Sequence, residues 1–291
     1  MSRRSLAHLA LAGAAFLFGT TFVVVKEAVV LLPPLAFVAW RFLIGGGLLL
    51  AMRLPRGLRL WRDGSTAGLF LFAGYALQTE GLTRTSAANS GLITGLYVVF
   101  TPFLAAAMQR RTVRVRLVAG AALAFLGLAL LTVGDGLSLR RGDLLTVGCA
   151  LAFAVHIVLL ARIAPRHAVV PLTAVQLLTT ATAAALLAMA GGDLRIPPGD
   201  VWPAVLFTAV AVTAVAFLAQ IWSQTVVGPS RTAIILALEP AFAAATAALV
   251  IGERLTGRGW LGAALILGGI LGVVAVSDDE LPAAEAVTAA H

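Results

Sequence analysis

The sequence predicts an all-α polytopic membrane protein whose ten transmembrane helices form two inverted five-helix repeats. Three observations carry that reading. Of the 291 residues, 60% are apolar and 12% charged, about half the roughly 25% charge of an ordinary soluble domain, and the mean hydropathy is +0.99. The apolar residues come in long unbroken runs, where a membrane β-barrel would show short alternating ones. Finally, Gly120-Ala121-Ala122-Leu123 with Gly127 returns as Gly262-Ala263-Ala264-Leu265 with Gly269, at an offset of 142.

At about 20 apolar residues per crossing, ten crossings use roughly 200 residues and leave no room for a soluble domain. The first run opens with Ser2-Arg3-Arg4 in the manner of a signal peptide, but it continues to Val25 with no small-residue cleavage site, so helix one is expected over 6–25 and retained. Helix two (35–52) follows Pro33-Pro34 and stops before Pro55-Arg56-Gly57. Helices three (66–83) and four (88–108) have a weakly marked connection at Thr85, and helix four ends at Arg110-Arg111. Helix five (117–134) ends at Gly134-Asp135-Gly136, and six (143–162) at Pro165-Arg166-His167. Seven (171–190) ends at Gly191-Gly192-Asp193, eight (202–222) before Gly228-Pro229, nine (230–250) at Gly252-Glu253-Arg254, and ten spans 259–276. The repeats then occupy 1–140 and 141–278, with 279–291 an acidic tail, entered at Asp278-Asp279-Glu280 and expected to be disordered.

The net charge of +8 would suggest nucleic acid in a soluble protein, but here the bases sit between apolar runs and report topology. With the N-terminus inside, thirteen Arg side chains fall on the cytoplasmic side and seven Lys or Arg on the other, with Arg41 left inside helix two. The positive-inside rule therefore puts both termini in the cytoplasm, with lipid as a partner and no nucleic acid. The lone Cys149 lies in an apolar run and reads as a packing thiol.

Upstream of the Gly-Ala-Ala-Leu match, Thr101-Pro102-Phe103 faces Glu239-Pro240-Ala241 at an offset of 138, and Lys26 faces Arg162 near 136. This predicts that Pro102 and Pro240 lie at comparable depth in helices four and nine. An odd number of crossings per unit turns the second unit upside down, the plan of secondary transporters.

Phe16-Leu17-Phe18-Gly19-Thr20-Thr21-Phe22 with Lys26, Pro34 and Arg41, then Gln220-Ile221-Trp222-Ser223-Gln224, Pro229-Ser230-Arg231-Thr232-Ala233, Leu238-Glu239-Pro240 and Gly252-Glu253-Arg254-Leu255 running into Trp260-Leu261-Gly262, resemble the EamA-type drug/metabolite transporters over essentially the whole chain. The resemblance implies a ten-helix inner-membrane carrier of small metabolites, often an exporter of amino acids or related compounds. Two departures are Arg111 in the first repeat where the second has Glu253, and Phe18 before Gly19 where many members have tryptophan.

A charge at mid-membrane costs about 2.5–3.5 kcal/mol on insertion scales, so polar groups inside apolar runs mark a cavity or a partner. Glu239 is followed by Pro240, which has no N–H and so frees the Leu236 carbonyl. Glu239 reads either as a substrate-amine or proton site, or as a protonated acid tying helices together. Tyr75 with Gln78, and Gln220 with Gln224, share helix faces at spacings of three and four. With Tyr97, His156 and Thr20 they are the expected cavity groups, though single interhelical hydrogen bonds would also explain them. Arg41 must pair with an acid, carbonyls or a substrate anion, and a structural clamp between helices is the favoured reading. Lys26 is expected to snorkel to the interface. Pro102 and Pro240 complete the structural or gating set. His156 has no second histidine or cysteine near it, so no metal site is expected, and no cofactor. Gly45-Gly46-Gly47, Gly120 with Gly127, and Gly268 with Gly272 allow close helix packing, within a monomer or in a homodimer.

A membrane enzyme would need a clustered nucleophile, base or metal, and neither H-E-x-x-H nor G-x-S-x-G occurs. An ATP-driven pump would need a Walker loop, and Lys26 is the only lysine. The expectation is a secondary transporter exporting an amino acid or related small molecule by alternating access, with proton coupling through Glu239 as a hypothesis. Drug or lipophilic-compound efflux is the alternative, and a membrane enzyme or scaffold a more distant one.

Overall fold

The computed structural model describes residues 2–109, 115–132, 140–236 and 238–278. In chain order it contains α1 (Arg3–Ala28), α2 (Pro34–Met52), α3 (Leu58–Leu82), α4 (Ala87–Thr94), α5 (Tyr97–Gln109), α6 (Val115–Thr132), α7 (Arg141–Ile163), α8 (Val169–Ala190), α9 (Trp202–Phe207), α10 (Phe217–Leu236), α11 (Glu239–Val250) and α12 (Gly257–Asp278). A 3₁₀ turn, Ala164–Arg166, follows α7, and a π-helical segment, Thr208–Ala216, joins α9 to α10. Among the described residues there is no strand, as hydrocarbon demands that each segment pair its own backbone. Among the described residues, six stretches are long and apolar enough to cross a membrane, and three shorter apolar helices accompany them. The protein is a multi-pass helical membrane protein of ten crossings in two inverted repeats.

Local chemistry explains most element ends. Ser2 and Ser86 cap α1 and α4 by accepting from the N–H of Ser5 and Asn89. Prolines open α2, α9 and α11, where a missing N–H is harmless. Gly57, at φ +90°, turns the chain into α3 eight residues earlier than hydropathy predicts. That extra turn is amphipathic rather than apolar: Leu60 is buried, and a Cβ on Gly64 would come within 2.7 Å of Val175 on α8. At the other end, α12 runs to Asp278, two residues past the predicted end of helix ten. The connections at Arg110-Arg111 and Gly134-Asp135-Gly136 and the tail 279–291 lie outside the described residues.

The packing shows the pseudo-twofold directly. A Cβ on Gly127 would come within 2.5 Å of the Gly262 carbonyl and 2.7 Å of the Ile266 nitrogen. One on Gly269 would come within 2.5 Å of the Gly120 carbonyl and 2.6 Å of the Ala124 nitrogen. Each contact is the other's image at the offset of 142, so α6 and α12 cross at a symmetric backbone-to-backbone contact. Gly269 makes it, whereas Gly268 and Gly272 stand off at 3.6 and 3.9 Å.

The same offset runs back through helices four and nine. Helix four is broken between α4 and α5, where the Leu96 N–H bonds to the Ile93 carbonyl at 3.0 Å. The counterpart break between α10 and α11 is closed by the Leu238 N–H on the Ile235 carbonyl at 3.1 Å. These tight i→i+3 turns keep the backbone paired where the α-helices stop. The pairing corrects the proline alignment: Pro102 lies inside α5, whereas Pro240 stands in the first turn of α11. The two prolines are therefore not equivalent, and the residue that matches Glu239 is Tyr97.

α10 also contains a chain reversal. Phe217 at its start stacks on Phe18 at 5.3 Å, and Ser223 donates to the Ala7 carbonyl, yet just past its end the Glu239 carbonyl lies 2.9 Å from where a Cβ on Gly19 would be. A straight helix would carry Glu239 about 30 Å from Phe217, so the chain doubles back within α10, between crossings eight and nine.

Candidate functional site

The two broken helices meet at the centre of the bundle, where α4 packs against α11. Glycine permits the approach: a Cβ on Gly95 would run into the Pro240 ring, and one on Gly91 into Ala243. Beside this crossing lies a cavity of about 50 Å³. Tyr75, Gln78, Tyr97, His156, Gln220 and Glu239 all line it, together with apolar groups that include Phe18, Phe153, Phe217 and Leu71.

The lining is built in symmetric pairs. At the offset of 142, Tyr75 matches Phe217, Gln78 matches Gln220, and Tyr97 matches Glu239. Phe153 of α7 meets Tyr75 edge-on at 5.1 Å, as Phe18 of α1 meets Phe217 at 5.3 Å. The axis runs through the pair that differs most in chemistry. The Tyr97 hydroxyl donates to Glu239 Oε2 at 3.2 Å and to the Leu236 carbonyl at 3.4 Å. One phenolic proton thus faces two acceptors, one of them the carbonyl that precedes the helix break.

The remaining polar groups are partly engaged. His156 Nε2 is 2.8 Å from Gln176 Oε1, which joins α7 to α8. Gln78 donates to Thr94 at 3.4 Å. Thr20 does not face the cavity: its hydroxyl donates to the Leu17 carbonyl, and Thr21, one position on, lines the wall instead. Gln224 lies one turn beyond Gln220 and outside the lining, with its Oε1 buried and unpaired. Consecutive threonines and an i,i+4 glutamine pair offer no sequence rule for which member points inward.

Lys26 finds a partner within the chain. Its ammonium donates to the Thr85 carbonyl in the α3–α4 connection. The Thr85 hydroxyl donates to Asp143 of α7, and the Ala87 N–H to Glu253 of the α11–α12 connection. The weakly marked connection is thus pinned by three other parts of the chain at the end of the bundle away from the N-terminus. Arg41 is buried behind Tyr75, with Nε on the Thr213 hydroxyl at 2.6 Å. Among the described residues, no group of three or more His, Cys, Asp or Glu is placed to hold a metal ion.

The aromatic wall is what sequence reasoning missed. Its signal was available, since carrying the offset of 142 back from Gln220 and Glu239 finds Gln78 and Tyr97, and from Tyr75 finds Phe217.

Comparison with known proteins decides the family. The EamA-like transporter family matches the chain twice, over residues 5–133 and 140–275, one match in each half. The chain belongs to the EamA-like transporter family. An uncharacterized transporter of Archaeoglobus fulgidus is 34% identical over 277 residues, covering 94% of this chain and 87% of its own. A protein crystal structure superposes with a TM-score of 0.68 over 96% of this chain and 100% of its own. At 23% identity that likeness carries the fold alone. The EamA-like protein is thus a membrane transporter, with its cavity where the two repeats meet.

Proposed function

We propose that this EamA-like protein is a secondary transporter, not an enzyme. It exports a small metabolite, an amino acid or related compound, across the cytoplasmic membrane by alternating access. The observation that supports this most is the position of the cavity. Its polar wall straddles the pseudo-twofold axis between repeats 1–140 and 141–278, so rocking one repeat against the other would expose the same groups to either side in turn.

Glu239 couples the cycle to protons in this reading. When the carboxyl is protonated it donates to the Tyr97 oxygen, and the phenolic proton is free for the Leu236 carbonyl. When it is ionised it draws the phenolic proton to itself, and that carbonyl loses its partner. Protonation is thereby linked to the break between α10 and α11. Both arrangements use atoms already within 3.4 Å.

The test is flux in proteoliposomes with a panel of labelled amino acids and nucleobases, with and without a proton gradient, for the native chain and Glu239→Gln. Glutamine keeps hydrogen bonding and cannot titrate. The expected result is gradient-driven flux of a panel member, with its pH dependence lost in the folded variant. Unchanged flux with unchanged pH dependence would reduce Glu239 to a tie between helices.

A further inference from the structure

At the end of the bundle away from the N-terminus, the connection between α3 and α4, residues 83–86, gathers polar contacts from distant parts of the chain. Thr85 is their hub. It is buried, its carbonyl accepts from the Lys26 ammonium, and its hydroxyl donates to Asp143 Oδ1 of the second repeat. Two positions on, the Ala87 N–H donates to Glu253 Oε2, also of the second repeat, at 3.2 Å. One turn past Gln78 of the cavity wall the backbones themselves touch. A Cβ on Gly81 would lie 3.0 Å from the Gly142 carbonyl, and one on Gly142 would lie 2.8 Å from the Gly81 carbonyl. The repeats are therefore tied to each other just beyond the cavity on this side.

The pseudo-twofold axis calls for an image of each tie at the opposite end. The backbone contact has one. Gly81 falls on Ser223 at the offset of 142, and Gly142 falls on Ala7 at 135, the offset of Phe153 from Phe18; Ser223 donates to the Ala7 carbonyl at 3.2 Å. The polar ties cannot be repeated. Thr85 falls on Val227, which has no hydroxyl, and Asp143 on His8, which has no carboxylate. Ala87 falls on Pro229, which has no N–H, and Glu253 on Arg111, whose side chain has no acceptor. Lys26 falls on Ala161, beside Arg162. The packing is thus common to both ends, whereas the hydrogen bonds across the repeats belong to one.

These ties are also built to break. Asp143 Oδ2 is buried with no hydrogen-bond partner among the described residues, and a carboxylate oxygen left unmet carries a desolvation cost. Opening this end hydrates that oxygen, which offsets part of the loss of the Thr85 bond. We infer that the connection 83–86, held by Lys26, Asp143 and Glu253, is the latch of the mouth away from the N-terminus, and that the unloaded protein rests with this mouth shut and its cavity reachable from the N-terminal end. The inference rests on the alternating-access reading above and adds which mouth is latched and by which atoms. Two states of one bundle would otherwise be close to symmetric, and contacts present in only one of them set the resting population.

The experiment puts a reporter cysteine on the cavity wall, Thr21→Cys, in the full-length chain, whose own Cys149 is buried. A membrane-impermeant maleimide is added to each face of sealed, oriented vesicles, and the rate of labelling is read. The reporter should label from the face that carries the N-terminus. Thr85→Val, which keeps the size of the side chain and removes its hydroxyl, should raise labelling from the other face about tenfold, as loss of a hydrogen bond to a charged group implies. Glu253→Ala should do the same, without a rise at the N-terminal face. Labelling of the unlatched face in the otherwise native chain at the rate of the N-terminal face overturns the inference, and so does labelling from neither face. Rates unchanged by both variants overturn it too, and a rise at both faces would show a loosened bundle in place of a latch. The readout is access, not flux: failure of the latch with flux of a panel member intact leaves the transport reading standing, whereas latch-dependent labelling in a chain that moves no panel member removes that reading alone.

Discussion

Single side chains in this protein act mainly by closing polar accounts across helices. Asp63 is the clearest case outside the membrane-spanning stretches. It belongs to α3 in the first repeat, and its Oδ2 accepts from His167 Nε2, ahead of α8 in the second, at 2.9 Å. Arg62 lies at 3.3 Å and Arg59 at 3.9 Å. The hydrogen bond from His167, with Arg62 adding its own and its charge, holds the Asp63 carboxyl below the usual carboxylate range. A depressed carboxyl stabilises the folded state above its ordinary value and loses that contribution as pH falls through the folded one. Asp63→Asn should therefore lower the melting temperature at pH 5.5 by an amount worth about 1 kcal/mol or less. The gap should close only below pH 3.8, the ordinary value. A pH series of unfolding in detergent checks it; a gap unchanged at pH 3 would mean the pair contributes through packing instead. The candidate site shows how far residue chemistry alone reaches. Tyr75, Gln78, Tyr97, His156, Gln220 and Glu239 were legible because each is polar inside an apolar run, and all six line one cavity. Thr20 and Gln224 satisfy the same criterion and lie outside it, since polarity does not encode direction.

At the level of elements, the decisive feature is how closely backbones approach. α6 and α12 meet at Gly127 and Gly269, where a Cβ would come within 2.5 Å of a facing carbonyl. Gly127→Ile should force the pair apart and destabilise the protein by about 1–3 kcal/mol or more, as overpacking does. Gly47→Ala meets open space and should be neutral or stabilising by up to about 1 kcal/mol, because alanine favours a helix. Thermal unfolding of both variants beside the native chain decides it, and equal behaviour of the two would show that the glycine contact is not tight in solution. Helix existence was readable from hydropathy, but the breaks were not. Residues 88–108 and 230–250 read as single apolar runs, and each is divided where the two helices cross at the axis. A break that serves a crossing leaves only small residues behind, and small residues are common in every helix of this chain.

For the whole molecule, ten crossings place both termini at one end of the bundle. Lys26 at the end of α1 reaches Thr85, and Ala87 meets Glu253 just before α12, so α12 returns toward the end where α1 began. By the positive-inside rule, the thirteen-to-seven division of basic residues leads us to propose that this end is the cytoplasmic one. A green fluorescent protein fused after His291 should fluoresce, and alkaline phosphatase fused there should be inactive, whereas phosphatase inserted beside Glu253 should be active. Phosphatase activity at the C-terminus would invert the assignment.

The sequence by itself determined the membrane class, the number of crossings, the doubling of a five-helix unit and the family, because hydropathy and repetition are properties of a single chain read in order. Tertiary structure decided between the two offsets, 138 and 142, that the sequence offered for the register of the repeats. Pro102 against Pro240 was a plausible match in letters, and only the crossing of α4 with α11 shows that Tyr97 and Glu239 are the pair on the axis. It also decided the neighbours of Arg41 and Lys26, since a charge in an apolar run announces that it needs a partner but not where the partner lies. That partner is found 59 positions away for Lys26 and 172 for Arg41, distances over which the pairing is set by helix packing rather than by any local pattern.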